Sequence, residues 1–161
     1  MDNYLKTYQA MRRRLKAYQY VQWLIGWDQE TEAPKGSVGY RTKQIQVLTE
    51  EFYQLVSDPA YMESIEKLYE RLDTLEDHDL KVEIKHQFKE LRIIKKVPKE
   101  EYIAYQVLIS SASQIWASAK NKDDFELFAP TLEKIVEFNR KFVKYLETAE
   151  MKGYDILLDM Y

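Results

Sequence analysis

Apolar residues recur at every third or fourth position along the first 26 residues. Steps of three and four keep side chains on one face of an α-helix, which has about 3.6 residues per turn. The pattern therefore predicts a long amphipathic helix with this buried stripe: Leu5, Tyr8, Met11, Leu15, Tyr18, Val21 and Ile25.

Similar stripes continue towards the C-terminus and predict five further helices. These apolar stripes span residues 45–55, 62–72, 80–91, 102–119 and 125–146. Asp58-Pro59 and Pro98 indicate helix starts, because an Asp side chain can cap free amides and Pro lacks the N–H that would be unpaired there. Asp123 followed by Glu126 resembles a capping box for the sixth helix. The sequence thus predicts an all-α bundle of about six helices.

Residues 27–37, with the sequence WDQETEAPKGS, interrupt these stripes. Three acids, a Pro and a Gly directly follow an apolar helix, a combination that does not favour its continuation. We expect an ordered loop in which Trp27 is a buried anchor. Replacing a buried Trp by Ala typically costs about 3–5 kcal/mol.

Composition and charge narrow the class of protein. A chain of 161 residues with 45% hydrophobic letters and only four Gly and four Pro suits a single helical domain over residues 1–161. Zero Cys excludes disulfide scaffolds, Cys-based zinc modules and a cysteine nucleophile. The net charge of −3 gives no basic field for nucleic acid. Without a signal-peptide pattern or a membrane-length apolar run, we expect a cytoplasmic protein.

Residues with candidate chemistry are few. His78 and His86 are eight positions apart, which is not the i, i+4 spacing of an HExxH zinc site. Glu83 and His86 form a single Glu-x-x-His, whereas a di-iron bundle needs two copies. We interpret His86 as a surface residue.

Three serines and one asparagine have structural interpretations. Ser110, Ser111 and Ser113 lack a Gly-x-Ser-x-Gly elbow and are interpreted as helix-packing residues. Asn139 interrupts an apolar stripe. It either fixes the packing register, which we favour, or marks the place where the stripe meets a solvent-filled groove. Most of the 13 Tyr and 3 Trp are expected in the core.

The 27–37 segment and the helix after it resemble the N-terminal signature of the Taq-type thermostable carboxypeptidases, which are HExxH zinc metallocarboxypeptidases. That signature reads W-D-Q-E-T-x-M-P-x-G, followed by an Arg and a Gln. Ala33 replaces the usual Met, and Lys35 stands where Pro is common. The matching positions are Trp27, Asp28, Gln29, Glu30, Thr31, Pro34, Gly36, Arg41 and Gln44.

Later segments extend the resemblance over the whole chain, in order. Val97-Pro98 resembles the family's R-V-P-x-E-L segment, and Ser113, Trp116 and Ala119 resemble its S-x-x-W-x-x-A-R helix, with Lys120 in place of Arg. The runs DDFELFAPTLEKIVEF and YDILLDMY resemble two further family segments.

The resemblance implies the N-terminal helical part, about the first third, of the carboxypeptidase Taq/neurolysin-like metallopeptidase fold. It implies one wall and lid of a groove in an enzyme that releases residues from the C-termini of peptides. The family's HExxH helix, its Glu ligand and the residues that hold the substrate carboxylate have no counterpart here. No catalytic residue, metal ligand or cofactor is therefore expected in this chain, whereas zinc or another divalent metal is expected in the full-length enzyme.

The implied partner is the remaining catalytic portion of the peptidase, and peptide would be bound only by the full-length enzyme. The alternative is a stand-alone helical binding or dimerisation module derived from such an enzyme, with a homodimer as one outcome. If the chain is the first third of a larger enzyme, we expect an apolar face that is open or covered by self-association, whereas a monomer without such a face would favour the stand-alone module. The expected contributors are Phe138, Phe142, Tyr145, Tyr154, Ile156, Leu157 and Leu158.

Overall fold

The computed structural model describes residues 3–159, apart from the side chain of Lys35. Met160 and Tyr161, which end the YDILLDMY motif, lie outside the described residues. The described chain is all-helical, as predicted. Its α-helices are α1 (Asn3–Thr31), α2 (Val38–Val56), α3 (Pro59–Glu70), α4 (His78–Lys96), α5 (Lys99–Lys122), α6 (Phe125–Leu146) and α7 (Tyr154–Leu158). Short 3₁₀ helices lie at Lys35–Ser37 and Leu72–Thr74. The described residues thus contain one short α-helix more than the six predicted.

The prediction of a loop from residue 27 is wrong for its first five residues, because α1 continues to Thr31. Gln and Glu are good helix formers, so three acids do not end a helix by themselves. Pro34 ends the helix, because it has no backbone N–H to donate to the Glu30 carbonyl and disfavours helical geometry at the residue before it. The break is therefore confined to the residues directly around Pro34.

The helix caps follow the sequence closely, with two corrections: α5 begins at Lys99, one residue after the predicted Pro98, and the cap of α6 is displaced by one residue. The Tyr61 amide donates to the Asp58 carboxylate at 3.0 Å, and Pro59 is the first residue of α3, as predicted. At α6 the cap is Asp124, whose carboxylate accepts from the Leu127 amide at 3.2 Å. The predicted cap, Asp123, instead ends α5 with a left-handed φ of 53°. Asp tolerates that conformation better than most residues, so the adjacent Asp takes the capping position.

Residues 3–31 and 50–95 form one compact unit. In it α1 packs against α3, and the ring centroids of Tyr8 and Tyr61 lie 5.9 Å apart in a stacked arrangement. The first half of the predicted stripe packs in this core. Val21, in its second half, is exposed. The buried core consists of Tyr8, Leu15, Leu55, Tyr61, Ile65, Leu68, Ile84 and Leu91.

Residues 32–49 and 96–159 form a second compact unit. Here α6 packs against α5 and α7, and the Tyr105 ring lies 4.9 Å from the Phe142 ring, centroid to centroid. Phe142 and Ile156 are buried, so their assignment to an open apolar face is wrong. Tyr154 and Leu158 are exposed, as expected. That residues 1–161 fold as a single domain stays a prediction.

No helix within residues 3–159 is long and apolar enough to cross a membrane.

Candidate functional site

Five of the nine signature residues lie at the C-terminal end of α1, in the first unit. Residues 27–31 are helical, and the Thr31 hydroxyl donates to the Trp27 carbonyl at 2.8 Å. Asp28 and Gln29 are half-buried, whereas Glu30 and Thr31 are exposed. The structure thus presents these residues on consecutive positions of one helix rather than on a loop.

The other four signature residues, Pro34, Gly36, Arg41 and Gln44, belong to the second unit. Pro34 precedes the 3₁₀ turn, and its carbonyl accepts from the Ser37 amide at 2.9 Å and from the Ser37 hydroxyl at 2.7 Å. Arg41 is half-buried and Gln44 is exposed, both on α2. Pro34 and Gly36 therefore shape the entry to α2, on which the last two signature residues lie.

An exposed row of aromatic rings lies along the C-terminal half of α1. Tyr20, Trp23 and Trp27 are 62%, 59% and 59% exposed. The Tyr20 and Trp23 ring centroids lie 6.1 Å apart and those of Trp23 and Trp27 6.0 Å apart, both in stacked geometry. We call these three residues the aromatic ladder.

The aromatic ladder corrects two predictions. Trp27 is not a buried anchor, and all three Trp side chains, including Trp116, are about half exposed or more rather than in the core. Helical periodicity indicates this row, because residues 20, 23 and 27 also follow steps of three and four, on a face roughly opposite to the predicted stripe at Tyr18, Val21 and Ile25. Exposed apolar rows of this kind are typical of surfaces that bind a partner or ligand.

Replacing Trp27 by Ala should therefore change the free energy of unfolding by about 0.5 kcal/mol or less, the usual range for an exposed side chain. The change removes one ring stack, worth about 0.2–0.5 kcal/mol for an exposed helical pair, and Ala is a better helix former. Urea melts of the two proteins test this. A loss of about 3 kcal/mol or more would restore the buried-anchor interpretation.

A polar network crosses the first unit from α1 to α4. The Arg12 Nε lies 2.6 Å from Glu83 Oε1, and Lys16 Nζ lies 3.4 Å from Glu83 Oε2. Gln87 Oε1 accepts from Arg12 Nη1 at 3.3 Å and from the Tyr61 hydroxyl at 3.1 Å. Glu83, weighed above as half of a metal motif, is thus engaged by two cations.

The pKa values in this network respond to burial and to the ion pair. Burial alone would raise the pKa of Glu83, but the hydrogen bond and charge of Arg12 outweigh it and hold that pKa below its usual value. Burial, and then the Glu83 carboxylate, raise the pKa of Tyr8. Burial raises the pKa of Tyr61 to about 12, against the opposing effect of Arg12. Both tyrosines therefore remain neutral at physiological pH, and the network is structural.

The remaining sequence candidates stay apart. His78 and His86 are both exposed on α4, and the described residues contain no group of three or more His, Cys, Asp or Glu side chains that could hold a metal. The hydroxyls of Ser110 and Ser111 donate to backbone carbonyls of their own helix, at 3.2 and 2.9 Å. Asn139 accepts a hydrogen bond from the Tyr105 hydroxyl at 3.3 Å, which links α5 to α6 as the packing interpretation requires.

Comparisons with known proteins cover nearly the whole chain. It is 36% identical to carboxypeptidase 1 of Bacillus subtilis over 161 residues, which is all of this chain and 32% of that protein. It is 30% identical to thermostable carboxypeptidase 1 of Pyrococcus furiosus over 157 residues, or 98% of this chain and 31% of that protein. The chain therefore spans about a third of the length of these relatives.

Two solved structures share the fold. The crystal structure named BsuCP matches 99% of this chain and 32% of its own, with a TM-score of 0.87 and 35% identity. The Pyrococcus furiosus carboxypeptidase structure, named as its Apo-Mg form, matches 100% of this chain and 32% of its own, with a TM-score of 0.73 and 28% identity.

The family model for the carboxypeptidase Taq (M32) metallopeptidases matches residues 7–161. This match agrees with the signature residues and with the helical fold of both solved structures, and it covers more than nine tenths of the chain. The chain therefore belongs to the carboxypeptidase Taq (M32) metallopeptidase family.

Proposed function

We propose that this chain is the N-terminal helical part of a metal-dependent carboxypeptidase, in which it forms one wall and lid of the substrate groove. The observation that carries the proposal is the alignment itself. Residues 7–161 match a metallopeptidase family, while the chain spans about a third of relatives named as carboxypeptidases. The wall would limit access to the groove and orient peptide, whereas bond cleavage would belong to the other portion.

The metal that the family implies does not fit the described residues. A catalytic zinc needs three protein ligands of the His, Asp, Glu or Cys type and an open position for water, and no such donor set is present within residues 3–159. We propose that zinc or another divalent metal is held by the remaining portion of the enzyme. No hydrolytic step is assigned to a residue of this chain.

The aromatic ladder supports a role as a wall. Its three rings are stacked in one row, and none is covered within the first unit. Such a row can pack against the remaining portion of the enzyme or against apolar side chains of a bound peptide. Both outcomes make the ladder part of the working enzyme rather than of the core of this chain.

Reconstitution with a relative tests the proposal. This chain is mixed with the part of Bacillus subtilis carboxypeptidase 1 that lies beyond the matched third, and release of the C-terminal residue from an N-blocked dipeptide is measured with zinc present. We expect no hydrolysis by this chain alone and at least a tenfold gain of the other portion's rate on mixing. Trp23→Ala/Trp27→Ala should weaken the gain, and Phe125→Ala, an exposed aromatic on α6, serves as the control.

Two results would contradict the proposal. Hydrolysis by this chain alone that survives repurification would place an active site among its own residues. A second portion that neither binds this chain nor gains activity from it would favour the stand-alone helical module. The oligomeric state of the chain by itself, measured by light scattering, tests that alternative directly.

A further inference from the structure

Gly26 lies inside α1, five residues before the helix ends at Thr31. A Cβ added at this position would meet no other part of the described chain within 4 Å, its own helix backbone and sequence neighbours aside. Packing therefore does not require a glycine here. Gly is nevertheless the poorest helix former after Pro, about fivefold less favourable than Ala, which is the equivalent of about 1 kcal/mol. The sequence thus places a weak point between the body of α1 and its last five residues.

The core of the first unit reaches only the first half of α1. The buried residues of α1 are Tyr8 and Leu15, and Tyr18 is the last α1 residue packed against the buried core. The thirteen residues from 19 to 31 extend about 20 Å at the helical rise of about 1.5 Å per residue. Apolar burial therefore contributes little to the stability of the end of this helix.

Two local interactions next to Gly26 act in opposite directions. The Trp23 and Trp27 rings, which flank Gly26 in the sequence, stack with their centroids 6.0 Å apart, and an exposed helical pair of this kind favours the helix by about twofold. The Thr31 hydroxyl donates to the Trp27 carbonyl at 2.8 Å, and such a bond slightly destabilises a helix and often bends it. The ring stack therefore does not offset the cost of Gly26.

The backbone beyond α1 gives its last turn no further helical support. Pro34 has no N–H for the Glu30 carbonyl, and the last four carbonyls of any α-helix lack an intrahelical partner. The next helical residues are the 3₁₀ turn Lys35–Ser37, which belongs to the second unit. The last five residues of α1 thus form a short segment between a helix-weakening glycine and a helix-ending proline.

We propose that α1 has a hinge at Gly26, about which residues 27–31 open and close as one segment while the residues before Gly26 stay helical. In the closed state the aromatic ladder has three rings. In the open state Trp27 leaves Trp23, the ladder has two rings, and the five signature residues of α1 move together. The hinge is a property of this chain by itself, so it does not depend on the proposed function.

Amide hydrogen exchange of the isotope-labelled chain, followed by NMR, tests the hinge residue by residue. We expect the amides of residues 27–31 to be at least a hundredfold less protected than the amide of the buried Leu15, because they exchange through a local opening. Opening as one segment also predicts that these five protection factors agree within about threefold. Ordinary fraying would instead give protection that falls steadily from Trp27 to Thr31.

Two variants with matched controls test the parts of the hinge. Gly26→Ala should raise the protection of residues 27–31 about fivefold, through the difference in helix propensity. Gly39→Ala, at a glycine of α2 where an added Cβ is equally unobstructed, should leave that protection unchanged. Trp23→Ala should lower it about twofold, because the ring stack that spans Gly26 is lost. Tyr20→Ala removes only the neighbouring stack on Trp23 and should have no effect on it.

Three results would overturn the proposal. Protection of residues 27–31 that lies within a hundredfold of that at Leu15 would mean that contacts beyond the helix hold its end closed. Protection that falls steadily towards Thr31 would reduce the hinge to end fraying. Unchanged protection in Gly26→Ala would show that Gly26 does not control the opening. A failed reconstitution would alter none of these measurements, so the hinge and the proposed function are tested separately.

Discussion

Replacing Tyr61 by Ala is expected to lower the free energy of unfolding by about 3–5 kcal/mol, the usual range for deleting a buried aromatic side chain. Tyr61 is 1% exposed, its ring stacks on Tyr8 at 5.9 Å, and its hydroxyl donates to Gln87 at 3.1 Å. The substitution removes all three contributions and leaves a cavity between α1 and α3. Urea melts followed by circular dichroism measure the loss.

Tyr20→Ala is the matched control for this prediction. Tyr20 is also a helical tyrosine, but it is 62% exposed, so its replacement should change the free energy of unfolding by about 0.5 kcal/mol or less. Equal losses for the two variants would show that burial in the first unit does not determine its stability. A small loss for Tyr61→Ala alone would mean that neighbouring side chains collapse into the space.

Replacing Arg12 by Met is the second large change, with an expected loss of about 3 kcal/mol at neutral pH. Arg12 and Glu83 have side-chain exposures of only 12% and 29%, and removing Arg12 leaves the Glu83 carboxylate with only the longer contact to the exposed Lys16. Lys16→Met is the control, because Lys16 contacts the same carboxylate at 3.4 Å but is 59% exposed. Its loss should stay within about 1 kcal/mol, as for surface ion pairs.

The loss caused by Arg12→Met should depend on pH in a defined direction. The folded-state pKa of Glu83 lies below its ordinary value of 4.5. The stability that ionised Glu83 gains from Arg12 is therefore fully present above pH 4.5 and is lost as the pH falls through the folded-state pKa. Urea melts between pH 7 and pH 3 should show the difference between wild type and Arg12→Met narrowing below about pH 4.5.

The double variant Arg12→Met/Glu83→Leu separates the charge from the packing. Because it removes both charges, it should recover part of the stability that Arg12→Met loses. A difference between wild type and Arg12→Met that stays constant across this pH range, with no recovery in the double variant, would assign the effect of Arg12 to its aliphatic contacts instead.

Several features of the fold are local and could be predicted from the sequence. Steps of three and four along α1 identify a helix because the side chains of one face recur with the helical period, and the buried positions Tyr8 and Leu15 lie on that face. Asp58 and Pro59 specify the start of α3 through bonds made within one turn. The signature motif similarly identified the family, because it is a property of residue order alone.

Other features depend on residues that are distant in sequence. Periodicity locates an apolar row but not what covers it, so it could not distinguish the buried stripe of α1 from the exposed ladder formed by Tyr20, Trp23 and Trp27. Arg12 and Glu83 are 71 positions apart, and nothing in either neighbourhood indicates that they pair. Their contact exists because α1 and α4 are packed in one unit.

The sequence by itself determined the helical class, the start of α3, the family and the lack of an HExxH motif, because these depend on local propensity and on residue order. Only the tertiary structure decided that Trp27 is exposed, that Phe142 and Ile156 are buried, and that Asn139 accepts a hydrogen bond from Tyr105 of the neighbouring helix. Those properties depend on how α5, α6 and α7 pack together in the second unit and on how the helices of the first unit pack together. Burial is a property of the packed chain, and no single segment encodes it.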